Sequence, residues 1–205
     1  MRCEENWATK RELAATYDAI AGEYTAKFGD MLAQMPFDRE LLDAFASASV
    51  GSPVVDAGSG PGQVAKYLCG RGLRLVAFDL SAQMALRARE HTACTLVADL
   101  TQLPFASASL GGLVAFYSII CVPRAGVPAI LAEFRRVLLP AAPVVVSFHV
   151  GRGEEHHSGW SMSYFEPSEV VSYARRVGFE VTGCEERPPY AFEKQGGHAY
   201  LKARA

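Results

Sequence analysis

The stretch P-V-V-D-A-G-S-G-P-G, residues 53–62, restricts the possible folds of this chain more than any other. Val54 and Val55 form a short apolar run ahead of a glycine cluster, the pattern of a strand buried in a parallel sheet. Asp56 sets a carboxylate where that strand stops. Gly58, Gly60 and Gly62 follow at alternate positions. Without Cβ atoms they admit positive φ and let a ligand approach the backbone. From Gln63 the run Q-V-A-K-Y-L-C-G predicts a helix, with Val64, Ala65 and Leu68 on one face and Gly70 and Gly72 as its stop. Strand, glycine turn and helix in that order frame a nucleotide-type site in an α/β fold.

The spacing narrows the ligand. Dinucleotide turns read G-x-G-x-x-G and cradle a pyrophosphate, whereas this chain reads D-x-G-x-G-x-G. An acid two residues before the first glycine repels a pyrophosphate and suits an ammonium group or a bound water. The expected ligand is therefore a nucleoside carrying a positive charge. A glycine triple alone also fits a tight turn in any α/β protein, so the later acids decide. L-R-L-V-A-F-D-L predicts a second strand ending in Asp79, 17 residues past Gly62, where a carboxylate can accept two hydrogen bonds from a ribose diol. Ser81 caps the helix that follows. C-T-L-V-A-D-L predicts a third strand ending in Asp99. Three successive strands ending in aspartate, together with the glycine run, make a signal that no one of them carries.

These motifs resemble those of the class I S-adenosylmethionine-dependent methyltransferases, most closely the small metal-independent ones acting on low-molecular-weight acceptors. The resemblance runs from about Tyr17 to the end and is sharpest between Val54 and Val122. It implies a three-layer α/β/α sandwich with a Rossmann-like, seven-stranded, mostly parallel sheet whose last strand is antiparallel. It also implies S-adenosylmethionine as cofactor, S-adenosylhomocysteine as product, a small-molecule acceptor and no metal. By that resemblance Asp56 meets the methionine end directly or through water, and Gly58, Ser59, Gly60 and Gly62 approach it by backbone. Asp79 holds the ribose, Asp99 the adenine amino group, and the Leu100 amide the ring. Leu80 and Met84 pack near the adenine, with core packing an equal rival. The segment Y-D-x-x-A-x-x-Y, Tyr17 to Tyr24, is similar to the family's cofactor-covering N-terminus, and places Tyr24 by the cofactor and Tyr17 by the acceptor. Tyr117 and Ser118, ending the fourth strand G-L-V-A-F-Y-S-I-I, fall where the family faces the reactive methyl group. Ser59 replaces a cysteine common in relatives, no histidine stands near Cys121, and Pro140-Ala141-Ala142-Pro143 replaces a P-G-G turn.

The implied chemistry is in-line displacement on a sulfonium methyl. Alignment of two reactants supplies about 7–11 kcal/mol, and a general base adds about 10²–10⁴-fold. His149, closing the fifth strand P-V-V-V-S-F-H-V, is the candidate base, and Trp160 joins Tyr17 and Ser118 as a candidate for the acceptor pocket.

Residues 1–50 are expected to form a helical lid on a core of 51–205. Glu12 to Phe28 reads as a helix with Tyr17, Ile20, Tyr24 and Phe28 on one stripe. Gly29 to Pro36 reads as a loop, and Phe37 to Ser47 as a second helix with Asp38 as its cap. V-P-A-I-L-A-E-F-R-R-V-L is amphipathic, and Arg135-Arg136 reads as a solvated helix face. The segment G-R-G-E-E-H-H-S-G-W-S-M-S-Y-F lacks clear periodicity and reads as a substrate-facing insertion. A helix from Glu166 to Val177 and two antiparallel closing strands finish the chain.

With 205 residues and 50% hydrophobic content, the chain is long and apolar enough for one globular α/β domain. A net charge of −2 argues against a phosphate-gripping surface and hence against a nucleic-acid partner. The N-terminus is too polar for a signal peptide, and no apolar run approaches about 18 residues, so no membrane association is expected. Five scattered cysteines read as reduced, mostly buried thiols of a cytosolic monomer or homodimer. Two rival readings remain. A nicotinamide-dependent oxidoreductase would also use glycine turns and Asp79, but the G-x-G-x-G spacing, Asp99 and the lack of an obvious Tyr-x-x-x-Lys pair stand against it. A non-catalytic cofactor-binding or partner subunit would lack acceptor-sized space beside the methyl group.

Overall fold

The computed structural model describes residues 8–49, 51, 53–193 and 196–205. Its strands are β1 (Val54–Ala57), β2 (Leu75–Asp79), β3 (Cys94–Val97), β4 (Gly112–Phe116), β5 (Pro143–Val150), β6 (Glu154–His157), β7 (Trp160–Ser163), β8 (Glu180–Arg187) and β9 (Gly197–Arg204). Its α-helices are α1 (Lys10–Phe28), α2 (Pro36–Ala48), α3 (Gln63–Gly70), α4 (Ala82–Ala88), α5 (Val127–Val137) and α6 (Pro167–Arg176). One sheet has the order β3-β2-β1-β4-β5-β9-β8. Strands β1 to β5 pair in parallel, and β9 runs antiparallel between β5 and β8. This is the seven-stranded α/β/α sandwich expected from the sequence.

The central strands are apolar without alternation because both faces are covered: Val54, Val55, Ala57, Leu113, Val114 and Val146 are fully buried. Phe134 of α5 and Val170 of α6 pack on one face, and Leu42 and Phe45 of α2 with Val64 and Leu68 of α3 on the other. Strand order reverses between β1 and β4, so their connections leave in opposite directions and open a crevice at the carboxyl ends. The described part of the segment expected as a lid divides. α2 belongs to the sheet's covering layer, whereas Tyr17 and Tyr24 of α1 face the crevice.

Several local expectations are corrected. Ile20 is 37% exposed. At 100° per residue it sits about 60° off the line of Tyr17, Tyr24 and Phe28, whose rings do pack along the helix, edge-on at 6.0 Å and tilted at 4.5 Å. Asp38 is not a cap. Pro36 opens α2, as its fixed φ and missing N–H allow, and Asp38 is fully buried, accepting from the Tyr200 hydroxyl at 2.6 Å. The segment after β5 is a hairpin of β6 and β7. Its period-2 pattern escaped notice because its inward residues, Ser161 and Ser163, are small and polar. The loop at 29–36 contains a 3-10 turn, Met31–Gln34. Arg136 is exposed, as a solvated helix face should be, and also binds Glu133 at 2.7 Å and the carbonyls of Leu103 and Phe105 at 3.2 and 2.9 Å. None of the described cysteines is fully buried. Cys69, Cys121 and Cys184 are half-buried, and Cys94 is exposed on the edge strand β3; Cys3 lies outside the described residues. No described helix is long and apolar enough to cross a membrane.

Candidate functional site

The site is organised by two carboxylates at the carboxyl ends of adjacent strands. Asp79 ends β2 and bridges two loops: its Oδ2 accepts from the Gly60 amide at 2.8 Å and its Oδ1 from the Ser81 amide at 2.9 Å. Burial raises its carboxyl above the usual range, against those amides. Asp56 of β1 is 1% exposed, and its Oδ2 has no hydrogen-bond partner. Burial pushes this carboxyl up to about 7, with the Ala65 amide pulling it down and Asp79 adding to the rise. An unpartnered carboxylate oxygen in a dry wall is costly unless a donor or a cation meets it.

The three glycines do different things. Gly58 has φ +70, and a Cβ there would lie 2.5 Å from Ser118 Cβ, so this glycine lets the turn sit against the end of β4. Gly60 has φ +53 but nothing closer to such a Cβ than Tyr24 Cε1 at 3.9 Å, which leaves its face open to the crevice.

A cavity of about 630 Å³ runs over these strand ends, within the ordinary size range of small-molecule sites. Its walls contain Tyr17, Tyr24, Asp56, Gly58, Ser59, Gly60, Asp79, Leu80, Met84, Asp99, Leu100, Tyr117, Ser118, His149 and Trp160. Of the residues singled out from sequence, Gly62 alone does not line the cavity. It abuts α4, where a Cβ would fall 2.9 Å from Ala88 Cα. Asp99 lies two residues past the end of β3 rather than within it. Burial raises its carboxyl, but the Lys10 ammonium and the Thr101 amide and hydroxyl outweigh burial and hold it below the usual range.

The part of the cavity over β4 and β5 is aromatic. Tyr117, directly after β4, adopts φ +53, a left-handed backbone rare for bulky residues and typical of functional sites. Its amide donates to Ser147 Oγ at 2.9 Å, and its hydroxyl meets His198 Nδ1 and the Tyr200 hydroxyl, each at 2.9 Å. The His149 ring stacks on Tyr117 with centroids 5.1 Å apart. Burial first, then His198, brings the His149 imidazole down to about 4, so it is neutral near pH 7. Trp160 stacks on His157 at 4.1 Å, and the Tyr17 hydroxyl lies 3.4 Å from Cys121 Sγ.

Sequence reasoning missed the second layer of this site. Glu155 and Tyr164 line the cavity from the segment read as substrate-facing, though neither was singled out in it, and Glu193 and His198 line it from the β8–β9 connection and β9, where no motif marks them. Behind them Arg187, 6% exposed, pairs with Glu193 at 2.6 Å and Asp38 at 3.3 Å. Asp18 was also missed. From α1 it accepts from the Ser81 hydroxyl at 2.5 Å and the Gln83 amide at 2.9 Å, closing the N-terminus of α4.

Residues 54–141 match a sequence family described as "Methyltransferase domain". The chain is 31% identical over 137 residues to the biotin biosynthesis bifunctional protein BioHC of Cellvibrio japonicus, covering 65% of this chain and 25% of that protein. It is 40% identical over 72 residues to a malonyl-(acyl-carrier protein) O-methyltransferase of Erwinia billingiae, covering 34% and 29%. The matched segments thus span under a third of those curated relatives. Among solved structures it resembles the Burkholderia thailandensis 1,6-didemethyltoxoflavin-N1-methyltransferase, which holds S-adenosylhomocysteine and 1,6-didemethyltoxoflavin. The TM-score is 0.73, at 20% identity, over 96% of this chain and 90% of that one. It also resembles the 4+2 cyclase SpnF with a TM-score of 0.66, at 18% identity, over 81% and 80%. Both likenesses concern the fold.

Proposed function

We propose that the protein, whose residues 54–141 match the family described as "Methyltransferase domain", is a class I S-adenosylmethionine-dependent methyltransferase that methylates a small-molecule acceptor. The observation that carries this reading is the buried, unpartnered Oδ2 of Asp56 beside the open face of Gly60. A cationic α-amino group supplies what that oxygen lacks, and a pyrophosphate does not. This supports S-adenosylmethionine over a nicotinamide dinucleotide. When bound, the cofactor supplies a sulfonium-activated methyl group, and S-adenosylhomocysteine is the product.

The protein's own residues then divide the work. Asp56 orients the ammonium end. Asp79, whose oxygens each accept one amide, retains lone pairs for two ribose hydroxyls. The Leu100 amide and Asp99 bracket the base edge, with Lys10 as the competing partner of Asp99, and Leu80 and Met84 flank the ring. Tyr24 and α1 form the lid of the 51–205 core and exclude water. Tyr117, Ser118, Tyr17 and Trp160 frame the acceptor, and His149, neutral but made a weaker base by burial, takes the acceptor's proton on an imidazole nitrogen, contributing less than the about 10²–10⁴-fold of a base matched to the operating pH. The cavity continues from the glycine turn to Trp160, which supports catalysis over mere cofactor storage. Cytosolic action, as a monomer or homodimer on a low-molecular-weight acceptor, completes the reading.

Calorimetric titration with S-adenosylmethionine and S-adenosylhomocysteine tests it. We expect micromolar binding by the wild type and at least about tenfold weaker binding by Asp79→Ala, or 1.4 kcal/mol. Folded protein that binds neither compound would remove the reading.

A further inference from the structure

The part of the cavity beyond Tyr117 has a charge and shape that select among acceptors. We infer that the acceptor is a flat aromatic or heteroaromatic molecule, uncharged or cationic where it enters the cavity, and not a carboxylate or phosphate. This rests on the methyl-transfer reading above.

Shape is the first argument. The Tyr117 and His149 rings stack at 5.1 Å, and Tyr164 continues that column 6.1 Å beyond His149. Trp160 and Met162 also line the cavity. Rigid rings and a polarizable thioether along the wall favour a planar guest laid against them.

Charge is the second. Among the described residues, Lys10 and Lys27, both on α1, are the basic side chains lining the cavity. Lys10 is engaged by Asp99 and Thr101. Glu155 and Glu193 line the other part, and the one guanidinium behind it, Arg187, faces two carboxylates, Asp38 and Glu193. A bound carboxylate or phosphate is ordinarily held by a bidentate guanidinium fork, and here the fork is already occupied by Glu193 through both terminal nitrogens. The imidazoles of His149 and His198 add no positive charge, because burial lowers both. Lys27 lies on α1 next to Phe28, over whose ring its ammonium sits, so in the part lined by Glu155 and Glu193 an anionic acceptor would meet negative charge without a cationic partner, whereas a neutral N–H or O–H finds an imidazole acceptor and a cation finds Glu155. In the transfer, the acceptor's nitrogen or oxygen forms a bond to the methyl carbon. The carbon–sulfur bond breaks with its electron pair going to sulfur, and the acceptor's proton passes to His149.

Three probes on one ring system test the inference: 2-naphthol, 2-(aminomethyl)naphthalene and 2-naphthoate, each titrated into protein saturated with S-adenosylhomocysteine. The first two should bind at least about tenfold more tightly than the third, with the Glu155→Gln variant reducing the amine's advantage over naphthol about threefold, as for one partly exposed ion pair. Naphthoate binding as well as the others, or no binding by any of the three, would overturn the inference; an amine advantage untouched in Glu155→Gln would overturn the part given to Glu155. Failure of S-adenosylhomocysteine itself to bind is a separate result and refutes the underlying methyl-transfer reading.

Discussion

Asp56 makes the stability of the ligand-free protein depend on pH in a direction opposite to that of an ordinary salt-bridged aspartate. Its carboxyl is raised to about 7 from a reference of 3.8. Between those values the folded state binds more protons than the unfolded state, so the contribution of Asp56 to stability is largest at low pH and falls as pH rises through 7. The full difference of about three units corresponds to about 4 kcal/mol, and the interval from pH 5 to pH 7 covers two of them, or about 3 kcal/mol. His149 works the other way: brought down to about 4, it favours the folded state more as pH rises from 4 to 6.5. The wild-type curve alone is therefore a sum of opposing trends, and the informative quantity is its difference from Asp56→Asn, which cannot titrate. Urea unfolding of both ligand-free proteins at half-unit steps from pH 5 to pH 8 should show Asp56→Asn gaining about 3 kcal/mol relative to wild type across the range. A pH-independent difference would show that water or a protein donor reaches Oδ2, and would refute the idea of a dry carboxylate awaiting a cation.

Two further outcomes follow from the packing. Gly58→Ala combines a left-handed residue, about 1–2 kcal/mol, with a clash against Ser118, about 1–3 kcal/mol. Gly60→Ala meets no such neighbour, so urea unfolding should find Gly58→Ala the less stable by about 1–3 kcal/mol, and equal stabilities would contradict the geometry. Arg187→Met leaves Asp38 and Glu193 buried without their cation and should lower unfolding free energy by about 3–5 kcal/mol. Adding Asp38→Asn and Glu193→Gln should restore part of that loss.

The cavity wall over β1 and β2 was legible because its residues follow local rules: an acid at a strand end and glycines where the backbone needs positive φ. Those rules act within about ten residues of sequence. Gly62 shows their limit, since the same residue type in the same run turned out to pack on α4 rather than line the cavity. The wall over β4, β5 and β9 was hidden because its parts come from distant segments. Asp38, Arg187, Glu193 and His198 meet only after β9 inserts beside β5, and no spacing records that. Asp38 was misread for the same reason: at a helix start, capping is the local explanation, and burial against Tyr200 is a tertiary one.

The carboxylate of Asp18 makes the roof of the cavity part of its floor. Because it closes the first turn of α4 from α1, lifting α1 also leaves the Gln83 amide and Ser81 without their partner. Ser81 is in turn tied to Asp79, and Asp79 to Gly60. Access to the cavity and the order of the loops after β1 and β2 are thus coupled through one chain of hydrogen bonds. A guest resting beneath Tyr24 and against Met84 of α4 tightens the start of α4 by favouring the arrangement in which Asp18 is engaged.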